Sequence, residues 1–260
     1  MVNTDKNLFL YHAQNIIAVT SGVGSMGKTW LATTLAHALN LQKRSVLLFD
    51  ANSGLMNVNF QLGLTGTHAL DDVVAGTKTF NQAVESINKR RFDVISAASG
   101  SEIWDNMPVG RLQIYREYLQ TVAQNYDYTV IDLPANEKIM THLMPPQIKL
   151  ILVCTGEASN LVSAYNFLQN KELLNNYKSL HIVVNYANSY EEGLRTYNTL
   201  RRACEQYIEK TPTLLGVVRS DTRVRDAIRN NALLLQRYPN SEAAEDVTLI
   251  AQKMIQGDIK

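Results

Sequence analysis

The sequence predicts an α/β fold, a mostly parallel sheet flanked by helices. Two observations predict it: short, β-branched, nearly continuously apolar runs recur along the chain, and helical patterns alternate with them. Runs of the first kind are strands buried on both faces. Strand alternating with helix gives a parallel sheet wrapped by helices.

The elements follow in order. Asn15 to Thr20 (NIIAVT) is the first strand and Lys28 to Leu41 the first helix, followed by a strand over Ser45 to Asp50 (SVLLFD). Gly63 to Lys78 and Gly100 to Gly110 read as loop-rich. A helix over Leu112 to Asn125 precedes the strands Tyr128 to Leu133 and Lys149 to Cys154. Helix Asn160 to Leu174, strand Leu180 to Asn185, helix Glu191 to Glu209, strand Leu214 to Val218 and helix Arg223 to Asn231 complete the alternation. Ser241 is the N-cap of a closing helix reaching Ile255. The 260 residues read as a single domain, with residues 1–14 an N-terminal extension and 241–260 the closing helical segment.

Composition narrows the function classes. Hydrophobic residues make up 45% and charged residues 19%, ordinary globular usage, and the formal net charge of +1 supplies no global attraction for nucleic acid. The two cysteines, Cys154 and Cys204, stand far apart without CxxC or histidine spacing, so neither a disulfide framework nor a metal site is expected. No signal-peptide pattern opens the chain, and no apolar run approaches the ~20 residues that span a bilayer. A cytoplasmic protein is expected, reaching a membrane or cell pole only through a partner.

TSGVGSMGKTW, Thr20 to Trp30, carries the chemistry. Gly22, Gly27, Lys28 and Thr29 fit GxxxxGK[ST], placed between a strand and a helix as a phosphate-binding loop requires. Loop N–H groups and the helix N-terminus cradle phosphates, Lys28 reaches the β- and γ-phosphates, and the Thr29 hydroxyl ligates magnesium. The binding set is Gly22, Val23, Gly24, Ser25, Met26, Gly27, Lys28, Thr29 and Trp30. YDYTVIDLP delivers Asp132 to the magnesium shell from an apolar strand. ATP or ADP with Mg2+ is the expected ligand.

SGVGSMGKT resembles the SGKGGVGKT loop of the MinD/ParA family of P-loop ATPases. Asp50 to Leu64 (DANSGLMNVNFQLGL) is similar to the DADLGLANVDVLLGL of its FlhG (FleN) branch. TGEASNLVSAY, VVNYANSYEEG and LLGVVRSDTRVRDAIRNNALLL are similar to stretches of the same branch, and the resemblance covers about Asn15 to Ala244. It implies control of flagellar number, placement or gene expression. Implied partners are the FlhF GTPase, a FleQ-type transcription activator, switch-complex proteins and a second copy of the chain.

The sequence departs from the family where the γ-phosphate is sensed. Val23 replaces the signature lysine that reaches the partner subunit's phosphates, so an ATP-driven dimer is not expected. Ser25 replaces a glycine, the residue that adopts positive φ most freely. Asn52 stands where the family's third DAD residue, an aspartate, polarises the attacking water, while Asp50 keeps the first position as catalytic and metal-shell candidate. An amide neither accepts the proton nor supplies the charge, and a positioned acid–base group is worth roughly 10²- to 10⁴-fold. Asn59 replaces another family aspartate, with no consequence assignable. Asn136 replaces a switch II glycine, as the residue that best mimics a left-handed backbone. Hydrolysis is expected to be weak or lost; an active ATPase in which Asp50 or a partner rescues the water is the competing reading.

Asn185 lies where the family sets an amide against adenine, an edge that asks for both a donor and an acceptor; a strand-end turn residue is the lesser reading. Val218, Arg219 and Asp221 follow the last core strand and flank the base by resemblance, with Asp221 alternatively a helix N-cap. Arg223, Arg225 and Arg229 form a basic stripe, read as a solvated face; DNA contact of a ParA-like positioning protein is the other reading. Tyr115, Tyr118, Tyr126 and Tyr128 read as packing. Residues 1–14 lack the family's DQAxxLR segment, and the closing helix lacks the Lys/Arg-rich face of a membrane binder.

Overall fold

In the computed structural model, residues 15–52, 57–64, 69–89, 91–98, 100, 103–104, 106–208 and 211–257 are described. Eight strands form one sheet: β1 (Ile16–Ser21), β2 (Val46–Asp50), β3 (Glu85–Asn88), β4 (Phe92–Ile95), β5 (Tyr128–Asp132), β6 (Ile148–Cys154), β7 (Tyr177–Ala187) and β8 (Thr213–Arg219), in the order β3-β4-β2-β5-β1-β6-β7-β8. Every pairing is parallel except β3 with β4 at one edge.

Alternate strand residues feed two apolar layers. Ile17, Val19, Val46 and Leu48 pack beneath helix α1 (Lys28–Leu41), while Ile16, Ala18, Leu47 and Phe49 face the opposite helices. Burial on both faces is why these strands read as continuous apolar runs. Helices α2 (Val58–Leu62), α3 (Ala69–Val74), α4 (Val109–Ala123), α5 (Glu137–His142), α6 (Ala158–Leu168), α7 (Lys171–Leu174), α8 (Tyr190–Tyr207), α9 (Thr222–Arg229), α10 (Leu234–Arg237) and α11 (Glu242–Gln256) complete the layers.

Several expectations are corrected. The sheet has two strands more than the six apolar runs, because β3 is a short edge strand and β4 carries Asp93, whose carboxylate accepts from the Tyr126 hydroxyl at 2.8 Å. The stretch expected as loop from Gly63 contains α3, and α4 opens three residues earlier than its apolar period suggested, after Pro108 at the N-cap. The helix expected over 160–174 is two, because Asn170 caps the second by accepting from the Leu173 N–H at 3.0 Å. Ser241 caps α11 as expected, accepting from Ala244 N–H at 3.2 Å. The four tyrosines pack: Tyr115 meets Trp104 edge-on at 5.9 Å, Tyr118 lies 6.0 Å from Phe80, and the Tyr126 and Tyr128 hydroxyls bond Asp93 and the Met254 carbonyl.

Candidate functional site

The motif residues converge at the carboxyl ends of β1, β2 and β5, where ligands bind in open parallel sheets. Gly27 holds α1's N-cap position at φ 83, and a Cβ there would lie 2.5 Å from Asn185 Nδ2. Gly22 is small for another reason: its Cβ would lie 2.5 Å from the Ser163 carbonyl oxygen on α6. Ser25 adopts φ 64, so the loop does require a left-handed residue there, and a serine supplies it. Gly24 faces open space, Val23 is exposed with its carbonyl accepting from the Ser21 hydroxyl, and Met26 is buried. Lys28 and Thr29 open α1, placing the hydroxyl at the mouth of the loop.

Below the loop lies a compact polar knot. The Thr29 hydroxyl donates to Asp132 Oδ2 at 2.6 Å, and Asn52 Nδ2 donates to both Thr29 Oγ1 and Asp132 Oδ2 at 3.2 Å. Asp50 and Asp132 are register partners on β2 and β5 and both are buried. The Asp50 carboxylate is engaged by backbone: Asn52 N–H donates to Oδ1 at 2.9 Å and Val58 N–H to Oδ2 at 3.0 Å. It thereby ties the end of β2 to the start of α2.

Electrostatics agree with a cation site. Burial, then the neighbouring Asp132 charge, pushes the Asp50 carboxyl well above the usual range. Burial raises Asp132 too, opposed by the Thr29 hydrogen bond, the Lys28 charge and the Asn52 amide. Asp132 Oδ1 is buried without a hydrogen-bond partner, and an orphaned carboxylate oxygen beside a threonine hydroxyl is the all-oxygen donor set that Mg2+ takes. Among the described residues no group of three or more His, Cys, Asp or Glu is arranged to hold a metal. The remaining ligands would therefore come from phosphate and water.

Two cavities flank the loop. One of about 550 Å³ is lined by Ser25, Met26, Thr155, Glu157, Asn160 and Tyr186 among others. The other, about 360 Å³, includes Trp30, Asn185, Tyr186, Arg219, Asp221 and Arg225 in its lining. Both fall in the range of small-molecule sites. A third, about 460 Å³, lies between α4 and the 73–81 segment and is reached by none of the motif residues.

The structure sorts the remaining candidates. Asn185 is buried at the loop, with Nδ2 donating to the Met26 carbonyl at 2.9 Å, so one of its N–H groups fixes the loop itself. Asp221 is the N-cap of α9, accepting from Arg223 N–H and Nε at 2.9 Å each; burial raises its carboxyl, but the Arg223 hydrogen bonds and charge outweigh that and hold it low. Arg219 lines the smaller cavity, yet its guanidinium grips Asp246 through Nε and Nη2, both at 2.9 Å, and Glu242 through Nη1 at 2.8 Å, tying β8 to α11. Val218 is packed in the core and does not line the cavity. In the basic stripe, Arg223 is paired with Asp221 and Arg225 faces the smaller cavity.

Two asparagine readings change. Asn136 is not left-handed: it sits at φ −121 and caps α5, accepting from Ile139 N–H at 3.2 Å. Asn59 acquires a role: buried, it donates to the Ala97 carbonyl at 2.8 Å and accepts from the Ser96 hydroxyl, tying α2 to the end of β4. An aspartate could not make that donation. Tyr186 was missed by sequence reasoning. It follows Asn185 at φ 58 and its hydroxyl would lie 3.1 Å from a Cβ on Gly27, so it borders the loop and both cavities. A signal was available only in its place, next to an asparagine already singled out.

The model of the CobQ/CobB/MinD/ParA nucleotide binding domain matches residues 17–234. The chain belongs to that family. Within it, the chain is similar to the antiactivator FleN of Pseudomonas aeruginosa, 27% identical over 96% of this chain and 89% of FleN. It is also similar to the flagellum site-determining protein YlxH of Helicobacter pylori, 23% identical over 92% of this chain and 81% of the relative. Among solved structures, MinD of Pyrococcus horikoshii OT3 complexed with Mg-ADP superposes with a TM-score of 0.75 at 21% identity, covering 94% of this chain and 98% of that one. That likeness shows the MinD/ParA fold. No helix among the described residues is long and apolar enough to cross a membrane.

Proposed function

We propose that this protein is an FlhG/FleN-like nucleotide-binding regulator of flagellar number, placement or flagellar gene expression, which holds ADP or ATP with magnesium and hydrolyses ATP weakly or not at all. The flagellar part rests on similarity to FleN along nearly the whole chain and to YlxH. The nucleotide part rests on family membership and on the loop geometry.

In this reading the loop N–H groups of residues 22–28 and the Lys28 ammonium hold the phosphates. Thr29 Oγ1 and Asp132 Oδ1 hold magnesium, which when bound supplies neutralisation of phosphate charge. Trp30, Asn185, Tyr186 and Asp221 border the space for the base. The chain would act in the cytoplasm as one domain and meet membranes only through a partner. Partners of the FlhF, FleQ or switch-complex kind belong to the same proposal.

The observation that carries lapsed hydrolysis is Asn52. Its amide points at Thr29 and Asp132, and the neighbouring Asp50 carboxylate accepts two backbone N–H groups, so neither side chain is arranged as a free base for water. The test is calorimetric affinity for ATP and ADP, with phosphate release on the same preparation, beside Asn52→Asp. Tight binding with no turnover, partly restored by the aspartate, is expected. Wild-type turnover comparable to an intact relative overturns the reading of lost hydrolysis.

A further inference from the structure

We infer that the Asn52 carboxamide is an internal stand-in for the divalent cation, holding Thr29 and Asp132 in their binding arrangement so that the site grips nucleoside diphosphate nearly as well without metal as with it. The inference rests on the nucleotide-binding reading above and adds to it a change in metal dependence.

Three contacts close a triangle: Thr29 Oγ1 to Asp132 Oδ2 at 2.6 Å, and Asn52 Nδ2 to each of those two atoms at 3.2 Å. With Asp132 ionised, the donor assignments follow. An ionised carboxylate only accepts, and the Thr29 hydrogen is already given to Asp132, so the atom facing both must be the NH2 of the amide. The amide N–H is thus shared between two oxygens that lie 2.6 Å apart, and stands where an external positive charge would otherwise be needed. An aspartate at position 52 has no hydrogen to offer and would bring a third carboxylate against Asp50 and Asp132, which are both fully buried. Such a site would come together only around a cation.

The rest of the connection supports a fixed amide. Asn52's own N–H is anchored on Asp50 Oδ1 at 2.9 Å, so the side chain projects from a backbone held at that residue, and Asp50 Oδ2 holds Val58 N–H at 3.0 Å. Asp132 Oδ1, which the amide does not touch, stays buried without a partner. The amide therefore satisfies half of this carboxylate and leaves the other half for a cation, which can join without being obligatory.

The test is titration of ADP into wild type, Asn52→Ala and Asn52→Asp, each in EDTA and in excess MgCl2. For wild type, the two dissociation constants should agree within about threefold. In both variants the ratio of EDTA to Mg2+ constants should rise about tenfold or more, the equivalent of one hydrogen bond to a charged group. An unchanged ratio in both variants overturns the inference. A second readout needs no nucleotide: thermal melting with MgCl2 alone should stabilise Asn52→Asp more than wild type, whereas equal stabilisation of the two overturns it. If ADP binds none of the three proteins, the nucleotide-binding proposal fails, and the melting comparison still decides whether the amide replaces the cation.

Discussion

The strand ends that meet at the site, of β1, β2 and β5, are held by two different means. At the end of β1 the backbone does the holding: Gly27 and Ser25 sit at φ 83 and 64, and Gly22 is pressed against the α6 backbone. Beyond β2 and β5 the work falls to side-chain amides. Asn52 donates to Thr29 and Asp132, Asn57 and Asn59 both donate to the Ala97 carbonyl at 3.1 and 2.8 Å, and Asn136 caps α5. The contrast teaches that two kinds of departure from a family pattern have different consequences. A lost glycine is absorbed as backbone strain, whereas an aspartate-to-asparagine change reverses the direction of a hydrogen bond and so changes what the site needs from its ligand.

The largest expected effect breaks the backbone-held side. In Gly27→Ala the new Cβ would meet Asn185 Nδ2 at 2.5 Å and Tyr186 Oη at 3.1 Å in a left-handed residue. Urea denaturation should show a loss of about 2 kcal/mol or more, with ADP binding abolished in the same preparation. Retention of both would mean that the loop is not held by that torsion.

Next comes the amide-held side. Asn59→Asp removes the donor to Ala97 and brings a charge into a buried pocket, so it should lose about 2 kcal/mol in the same assay, as expected for an unsatisfied buried group. Were it neutral, the amide contacts of the second region would be passengers.

Acid tests the frame beneath both regions, through two buried histidines. His37, on α1, stacks on Phe92 at 5.9 Å, and His181, on β7, lies 2.7 Å from Thr213 Oγ1 and 2.9 Å from Ser179 Oγ. Burial holds each imidazole down to about 4, with the Lys149 charge adding to it at His181. Depressed in the folded state, both contribute stability that is whole above the ordinary histidine value and is lost as pH falls toward about 4. At pH 5 each should cost about 2 kcal/mol relative to pH 7.5, and His37→Leu should flatten that slope. An unchanged slope would place the acid sensitivity elsewhere.

The same contrast governs what was legible in the sequence. The first region is written in spacing and glycines: the helix over Lys28–Leu41 and the strands around it stand as the pattern implies, because local backbone demands are local in sequence. The amide region is legible mostly as substitutions, at Asn52, Asn59 and Asn136. That Asn59 ties α2 to Ala97 depends on a partner 38 residues away, and that Asn136 is an extended cap rather than a left-handed turn depends on where α5 starts. β3 and β4 went unread because a four-residue edge pair containing Glu85 and Asp93 lacks the apolar continuity of a strand covered on both faces. Arg219 shows a further limit: a charged residue beside a cavity reads as a ligand contact until Asp246 and Glu242 are seen to occupy it.

The smallest effect is the most discriminating. Ser25 carries a left-handed torsion that costs an L-residue about 1–2 kcal/mol, so the loop stores strain that a glycine would release. Glycine in turn loses more chain entropy on folding, about 0.5–1 kcal/mol. The difference leaves Ser25→Gly more stable than wild type by about 0.5 kcal/mol, read as a small rise in the denaturation midpoint at unchanged slope. ADP affinity should hold, since a loop whose shape comes from torsion keeps its N–H groups in place when the torsion is relaxed. A fall in affinity at equal or greater stability would show the Ser25 hydroxyl itself facing the ligand. The first region would then owe its binding to a side chain as the second does, and the division between backbone-held and amide-held ends would collapse.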